Sequence, residues 1–372
     1  MIYILSEEVI YGTAVTNRLL AYCRSFYYYG IESELIALKT FEPLNYEKEL
    51  GFNVRGSFAS KFKFKYIRAI LSYWYALYFS LFKLKKDDVV LLYGCMNCMP
   101  IFVKFKKCKI FHERTEHPEI VKSKFLKTSS YINLCKKFDG LFVISRPLKK
   151  YYISEGIPEG KIKIINMIVD ENRFDGVDVN ISEEKYIAYC GYIYNDSKDG
   201  VLDLIKAFVK YHKSFPDRKL LIAGPIKSKK QKEIYENYVI DHGMDGYIVF
   251  LGLVSPNDMP VLLANAEMLM LTRPNNKQAH YGFPTKLGEY LLTKKPVIVS
   301  RVGDIDAFLT DGVNALLAIP EDIDDIVSKM LWVSEHPLEG TALGVKGYEC
   351  ARKNFNDKKE TKKILDSFGG HC

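Results

Sequence analysis

"YGFPTKLGEYLLTKKPVIVS", residues 281–300, joins a glycine-led loop to a short helix and then to a wholly apolar strand. Leu287, Leu291 and Leu292 give the helix an inward stripe, and "KPVIVS" reads as a strand buried on both faces. A helix between two buried strands needs no more than that. Gly282, Phe283, Pro284, Lys286 and Glu289 are additional. Proline suits the first helical position, so the helix is expected to start at Pro284. The N–H groups of Thr285 and Lys286 then lack partners within the helix and can bind an anion. Gly282 lets the backbone come close to a ligand. Glu289 lies one turn beyond Thr285 on the same face, where its carboxylate can accept hydrogen bonds from a vicinal diol such as a ribose. The pattern suits a nucleotide.

The same alternation recurs through all 372 residues, 48% of them hydrophobic. In the first half the apolar runs are "MIYILS", "ESELIAL", "DDVVLLYG", "CKIFHE", "GLFVIS" and "KIKIIN". In the second they are "KYIAYCGYI", "RKLLIAG", "YIVFLGL", "EMLMLT", "KPVIVS" and "ALLAI". Continuous runs separated by helical stretches predict parallel strands, and two sets of them predict two doubly wound, Rossmann-like α/β domains. The polar, turn-rich stretch 169–185 is the expected join, which gives domains over 1–175 and 176–350.

Charge is uneven. Residues 1–170 hold 27 Lys/Arg against 16 Asp/Glu, whereas the remainder hold 26 against 29. A basic first half suits anionic partners or is simply a lysine-rich solvated surface. No nucleic-acid-binding motif accompanies it. Residues 69–82 are uncharged and aromatic, with Lys61, Lys63, Lys65 and Arg68 before them and Lys83, Lys85 and Lys86 after. Fourteen residues are too few to span a bilayer, so this is either a core helix or an interfacial one resting on anionic lipid. The eight cysteines are scattered, as in a reduced cytoplasmic chain, and Cys95 and Cys98 lack a second pair for zinc. "MIYILSEEV" has no basic start, so no secretory leader is expected.

Ligands of open α/β sheets bind beyond the carboxyl ends of the strands. Gly12 follows the first strand, near a helix start. Lys198 precedes Asp199 and Gly200 at another, where a lysine can neutralise a phosphate or simply face solvent. His112, Glu113, Arg114 and Glu116 end a strand and are candidate acid/base groups. His112 and His117 are five apart with Pro118 next, which does not suit zinc.

Together these segments resemble glycosyltransferase family 4, retaining enzymes of the GT-B fold. "GFPTKLGEYLLTKKPVIVSRVGDIDAFLTDGVNALL" resembles the donor-site block of members that build capsular or surface polysaccharide. "YCGYIYNDSKDGVLDLIKAF" resembles the diphosphate-binding segment, and Lys198 falls on its lysine. "GIPEGKIKIINMIVDENRF" is similar to the interdomain segment, and "YGTAVTNRLLAY" to the first loop, where acceptor and donor meet. "ARKNFNDKKETKKILDSF" resembles the terminal helix that crosses back to the first domain, here 351–372. The resemblance implies two domains facing across a cleft and a metal-independent transfer from a nucleotide sugar, a UDP- or GDP-sugar, without a cofactor. It implies donor contacts from Gly12, Gly191, Lys198, Arg273, Tyr281, Gly282, Phe283, Pro284, Thr285, Lys286 and Glu289. It implies acceptor contacts from Thr13, Asn17, His112, Glu113 and Arg114, with Lys198, Arg273 and His112 as the catalytic set. The acceptor is a glycan or a lipid-linked glycan, and the expected location is the cytoplasm, at the inner face of the cell membrane.

Two positions depart from that family. The first of its paired glutamates is replaced by Tyr281, where His280, Gln278 or a backbone N–H is the available substitute. Its arginine after the glycine is replaced by Tyr192, which leaves Arg273 to supply the cation. An Asp-x-Asp pattern occurs in "DIDD", 322–325, away from the phosphate loops. Other readings are a nucleotide-sugar epimerase, a phosphorylase (which would need a lysine site for pyridoxal phosphate), or a non-catalytic basic protein that binds membranes.

Overall fold

A computed structural model describes residues 1–43, 51–94, 97–120, 126–177, 184–193 and 196–369. The chain divides into two compact units, one of Met1–Ile168 with the segment from Asp357 onward, the other of Val169–Asn356.

The first unit contains β1 (Ile2–Val9), β2 (Ser33–Phe41), β3 (Asn53–Gly56), β4 (Val89–Tyr93), β5 (Lys109–Arg114), β6 (Gly140–Val143) and β7 (Ile162–Ile164). They form one sheet in the order β3-β2-β1-β4-β5-β6-β7. The second contains β8 (Tyr186–Cys190), β9 (Lys219–Ala223), β10 (Ile248–Gly252), β11 (Met268–Leu271), β12 (Val297–Ser300) and β13 (Leu316–Ala318), in the order β10-β9-β8-β11-β12-β13. Neighbours in both sheets pair in parallel, for example β1 with β2 and β4, and β8 with β9 and β11. Both are doubly wound Rossmann-like sheets in which the strand order reverses beside the first strand. β6, β11, β12 and β13 are buried at every residue, which explains their unbroken apolar sequences. The apolar runs account for every strand but β3. "NVRG" has no apolar run because it lies at the sheet edge, half exposed.

The chain enters the second unit at Val169 and leaves it after Asn356, earlier than the expected 175 and later than the expected 350. The two crossings pair: the Val169 N–H donates to the Phe355 carbonyl at 3.1 Å, and Val169 and Asn356 form a parallel bridge. The polar stretch read as a linker begins inside the second unit, with Asp170 capping the turn Glu171–Phe174; residues 178–183 lie outside the described residues. The last helix, Asp357–Ser367, packs on the first unit through Ile364 and the adjoining Phe368, whose ring lies 4.7 Å from that of Phe111. Glu360 accepts the Asn166 N–H at 2.7 Å. Among the described residues no helix is long and apolar enough to cross a membrane.

A buried ionic node joins the first helix, Ala14–Tyr28, to β5. Arg18 Nε donates to Glu113 Oε1 at 2.7 Å, and Arg18 Nη1 and Nη2 donate to the carbonyls of Asn166 and Ile165. Tyr22 Oη donates to the same carboxylate oxygen at 2.9 Å. Burial alone would lower the Arg18 pKa; the Glu113 carboxylate outweighs it and raises the value. Removing one partner of such a pair strands the other charge in the core. Arg18→Ala should lower the opening free energy of the β5 amides by about 3–5 kcal/mol, read by native-state hydrogen exchange. Unchanged protection would show that the node carries no weight.

Candidate donor site

In the second unit β8 and β11 are neighbours at the point where the strand order reverses, so the loops leaving them open a crevice at their carboxyl ends. The loop after β8 turns through the short helix Asp196–Asp199, which contains Lys198, and then Gly200. Asp196 holds this turn, its Oδ1 accepting the Leu202 N–H at 2.7 Å and the Tyr235 hydroxyl at 2.9 Å. Gly200 has φ +62°, and a Cβ there would lie 1.8 Å from the Thr272 carbonyl oxygen. The hydroxyl of Thr272 donates to the Gly200 carbonyl at 2.9 Å, and Asn276 Nδ2 donates to the Ser197 carbonyl. The β8 and β11 loops are thereby fastened together, with Arg273 buried just past the end of β11.

The helix expected from Pro284 begins at Lys286, with Thr285 as its exposed cap residue. Gly282, Phe283 and Pro284 are buried ahead of it. Phe283 packs edge-on against Phe308 at 5.4 Å and lies 5.7 Å from Phe355, so its ring belongs to an apolar cluster rather than to a ligand surface. Tyr281, half-buried, ends the short helix Lys277–Tyr281, and His280 is exposed.

Lys286 contributes its side chain rather than a helix-end N–H. It reaches the end of β8, where Nζ donates to the Tyr189 hydroxyl at 2.6 Å and to Asp199 Oδ1 at 2.8 Å. The ammonium also lies 4.5 Å from the centroid of the Tyr189 ring. Gly191 makes the room: a Cβ there would lie 2.0 Å from Lys286 Cε and Nζ. Burial lowers the Lys286 pKa, Asp199 opposes that shift, and the nearby charge of Lys198 adds to it. Asp199 Oδ2 is buried and accepts no hydrogen bond from the described residues. Burial, together with the Asp199 carboxylate, raises the Tyr189 pKa well above the ordinary phenol value. The Asp199 carboxylate thus holds the Lys286 ammonium, and Lys198 is near enough for its charge to act on that ammonium. Sequence reasoning found both lysines and missed Tyr189 and Asp199, whose signal was the Tyr-Cys-Gly and Lys-Asp-Gly context of residues already singled out.

Glu289 lies one turn into the same helix, and its Oε1 accepts from Arg173 Nη1. Arg173 Nη2 also donates to the Pro256 carbonyl at 3.3 Å. Burial raises the Glu289 pKa, and Arg173 only partly offsets this. The next residue, Tyr290, fastens the helix to β8 by accepting the Cys190 N–H at 2.6 Å. Arg173 went unassigned in the sequence because "ENRF" reads as a connecting segment.

The first unit corrects two expectations. His112 is fully buried, its Nδ1 2.8 Å from the Leu92 carbonyl oxygen and its Nε2 2.9 Å from the Tyr131 hydroxyl. Burial pushes its pKa down to about 3, so it is a neutral core residue and neither a general base nor an acceptor contact. Glu113 is the buried partner of Arg18 and is likewise unable to meet an acceptor. Arg114 is buried, its Nε donating to the Glu116 carbonyl at 3.1 Å and its guanidinium 5.7 Å from the Tyr131 ring centroid. Thr13 caps the first helix, its Oγ1 accepting the Thr16 N–H, and Gly12 precedes it in an exposed turn. Asn17 is half-buried on that helix. No group of three His, Cys, Asp or Glu able to hold a metal occurs among the described residues. Cys98 is buried, and Cys95 lies outside the described residues.

Residues 184–336 match the family model described as glycosyl transferases group 1. Among curated proteins, the chain is 26% identical to the trehalose synthase of Pyrococcus horikoshii over 188 residues, 47% of this chain and 42% of the relative. It is 25% identical to an uncharacterised glycosyltransferase of Methanocaldococcus jannaschii over 215 residues, 58% of this chain and 55% of the relative. These alignments span about half the length of the curated relatives. Among solved structures, Anabaena HepE in complex with UDP and glucose superposes with a TM-score of 0.77 at 14% identity, covering 98% of each chain. The chain has the GT-B fold, and its residues 184–336 are similar to the group 1 glycosyl transferases.

Proposed function

We propose that the chain is a retaining, metal-independent glycosyltransferase. It moves a sugar from a nucleoside diphosphate donor to a glycan or lipid-linked glycan in surface polysaccharide synthesis. The observation that carries this reading is the Lys286 ammonium held by the buried Asp199 carboxylate at the β8 turn, with Lys198 near enough for its charge to act on it. Cations gathered at the end of a strand in this way suit a diphosphate. The similarity to HepE, whose structure holds UDP and glucose, makes UDP-sugars the first donors to test.

As the bond from the sugar's anomeric carbon to the diphosphate oxygen breaks, its electron pair passes to that oxygen. Fixed cations at Lys198 and Arg273 stabilise the growing negative charge. Lys286, held by Asp199 and Tyr189, keeps a second ammonium beside Lys198. Glu289, steadied by Arg173, presents its other carboxylate oxygen to the ribose diol. With His112 neutral and buried, the departing phosphate oxygen is the proton acceptor. The acceptor hydroxyl attacks from the face that the leaving group vacates, and the anomeric configuration is retained.

A thermal-shift screen of UDP-, GDP-, ADP- and CMP-sugars should single out one donor class, because a ligand of the native state raises its stability. Lys198→Ala should lower kcat by about 10²–10³ with the fold intact, the usual effect of losing one stabiliser of transition-state charge. Wild-type turnover would remove its role.

Glu289→Ala should weaken nucleoside diphosphate binding by about 1.5–3 kcal/mol, and Glu289→Gln by less, as calorimetry would report. Equal affinities in all three proteins would make the Arg173 pair purely structural.

Turnover should survive EDTA, and proton NMR of the new anomeric signal should show an α product from an α donor. A β product, or loss of activity restored by Mn²⁺, would refute the mechanism.

A further inference from the structure

The helix Lys65–Tyr78 and the π-helical turn Phe79–Lys83 that extends it are apolar on two sides. Ser72, Tyr75, Ala76 and Phe79 face inward and are buried. The opposite side exposes Tyr66 (82%), Ile70 (61%), Tyr73 (47%), Trp74 (58%), Tyr78 (44%) and Phe82 (74%). Spaced three and four apart, these form one continuous stripe where a helix facing water carries charged residues. The core-helix reading of this segment therefore covers only its inner side. A patch of this kind marks an interaction surface.

Charge identifies the partner. Residues 50–86 contain eight Lys/Arg and no Asp or Glu. Lys61, Lys63 and Lys65 lie exposed at one end of the stripe, and Lys83, Lys85 and Lys86 at the other. The centres of protein–protein contacts are depleted in lysine. An aromatic stripe with lysines at both ends instead matches the boundary of a bilayer, where Trp and Tyr sit at headgroup level and lysines reach lipid phosphates. Beside the helix a cavity of about 410 Å³ is lined largely by apolar groups, among them Leu38, Ala69, Ile70, Tyr73 and Trp74, which gives an acyl chain somewhere to enter.

We propose that the helix Lys65–Tyr78 with its π-turn is a docking surface for an anionic lipid bilayer. It lies in the headgroup plane, with Trp74 and Phe82 inserted and the flanking lysines on lipid phosphates. This part of the chain is separate from the donor loops, so its test needs no activity. The chain has two tryptophans, and Trp332→Phe leaves Trp74 as the sole reporter. With vesicles of phosphatidylcholine and phosphatidylglycerol, Trp74 emission should shift to the blue, brominated lipid should quench it, and the protein should float with the vesicles. Added salt should release it. Ile70→Glu, at an exposed site, should lower the bound fraction at least tenfold while leaving the melting temperature unchanged. Lys63→Gln and Lys65→Gln should each weaken partitioning about fivefold, with Trp74 in place. Equal binding to pure phosphatidylcholine, no response to any vesicle, or shielding of Trp74 in a concentration-dependent dimer without lipid would each overturn the proposal.

Discussion

A parallel sheet covered on both faces leaves its polar chemistry one place to gather, the loops beyond the carboxyl ends of its strands. In the second unit that constraint acts at the junction of β8 and β11. Gly191 and Gly200 are needed because side chain and backbone come too close there for any Cβ. The first lets the Lys286 ammonium cross the end of β8, and the second lets the 196–200 turn rest on the Thr272 carbonyl. Lys198, Asp199, Lys286 and Glu289 owe their positions to these two contacts and to the Tyr290 tether on Cys190.

Most of the architecture is legible in the sequence, because strands buried on both faces must be written as unbroken apolar runs. β11 and β12 are examples. An edge strand obeys no such rule, and "NVRG" passes unnoticed. Burial on both faces also explains the misreading of His112 and Glu113. In a strand exposed on one side, alternation would separate core positions from solvent positions. In β5 both sides are interior, so a titratable residue near the strand end looks the same whether it meets a ligand or a neighbour in the core.

The site was legible at the level of segments and less so at the level of atoms. Spacing places Lys286 at a helix start and leads to its backbone N–H. It cannot show that a long side chain will turn back to Tyr189 and Asp199, because that path exists only once the β8 turn has formed. Arg173 was hidden for a related reason: its partner Glu289 is more than a hundred residues away, and pairs of that separation leave no local pattern.

The paired crossings at Val169 and Phe355 make the second unit an insertion within the first. During synthesis, therefore, residues 1–168 emerge first yet cannot finish their core. Phe26, Phe111 and Phe142 wait for Phe368, and Asn166 waits for Glu360. The second unit has all its strands before the helix Asp357–Ser367 is made, so the order of completion on the ribosome reverses the order of the chain. Until then the first unit presents open aromatic surface, the condition in which a nascent chain most depends on chaperones.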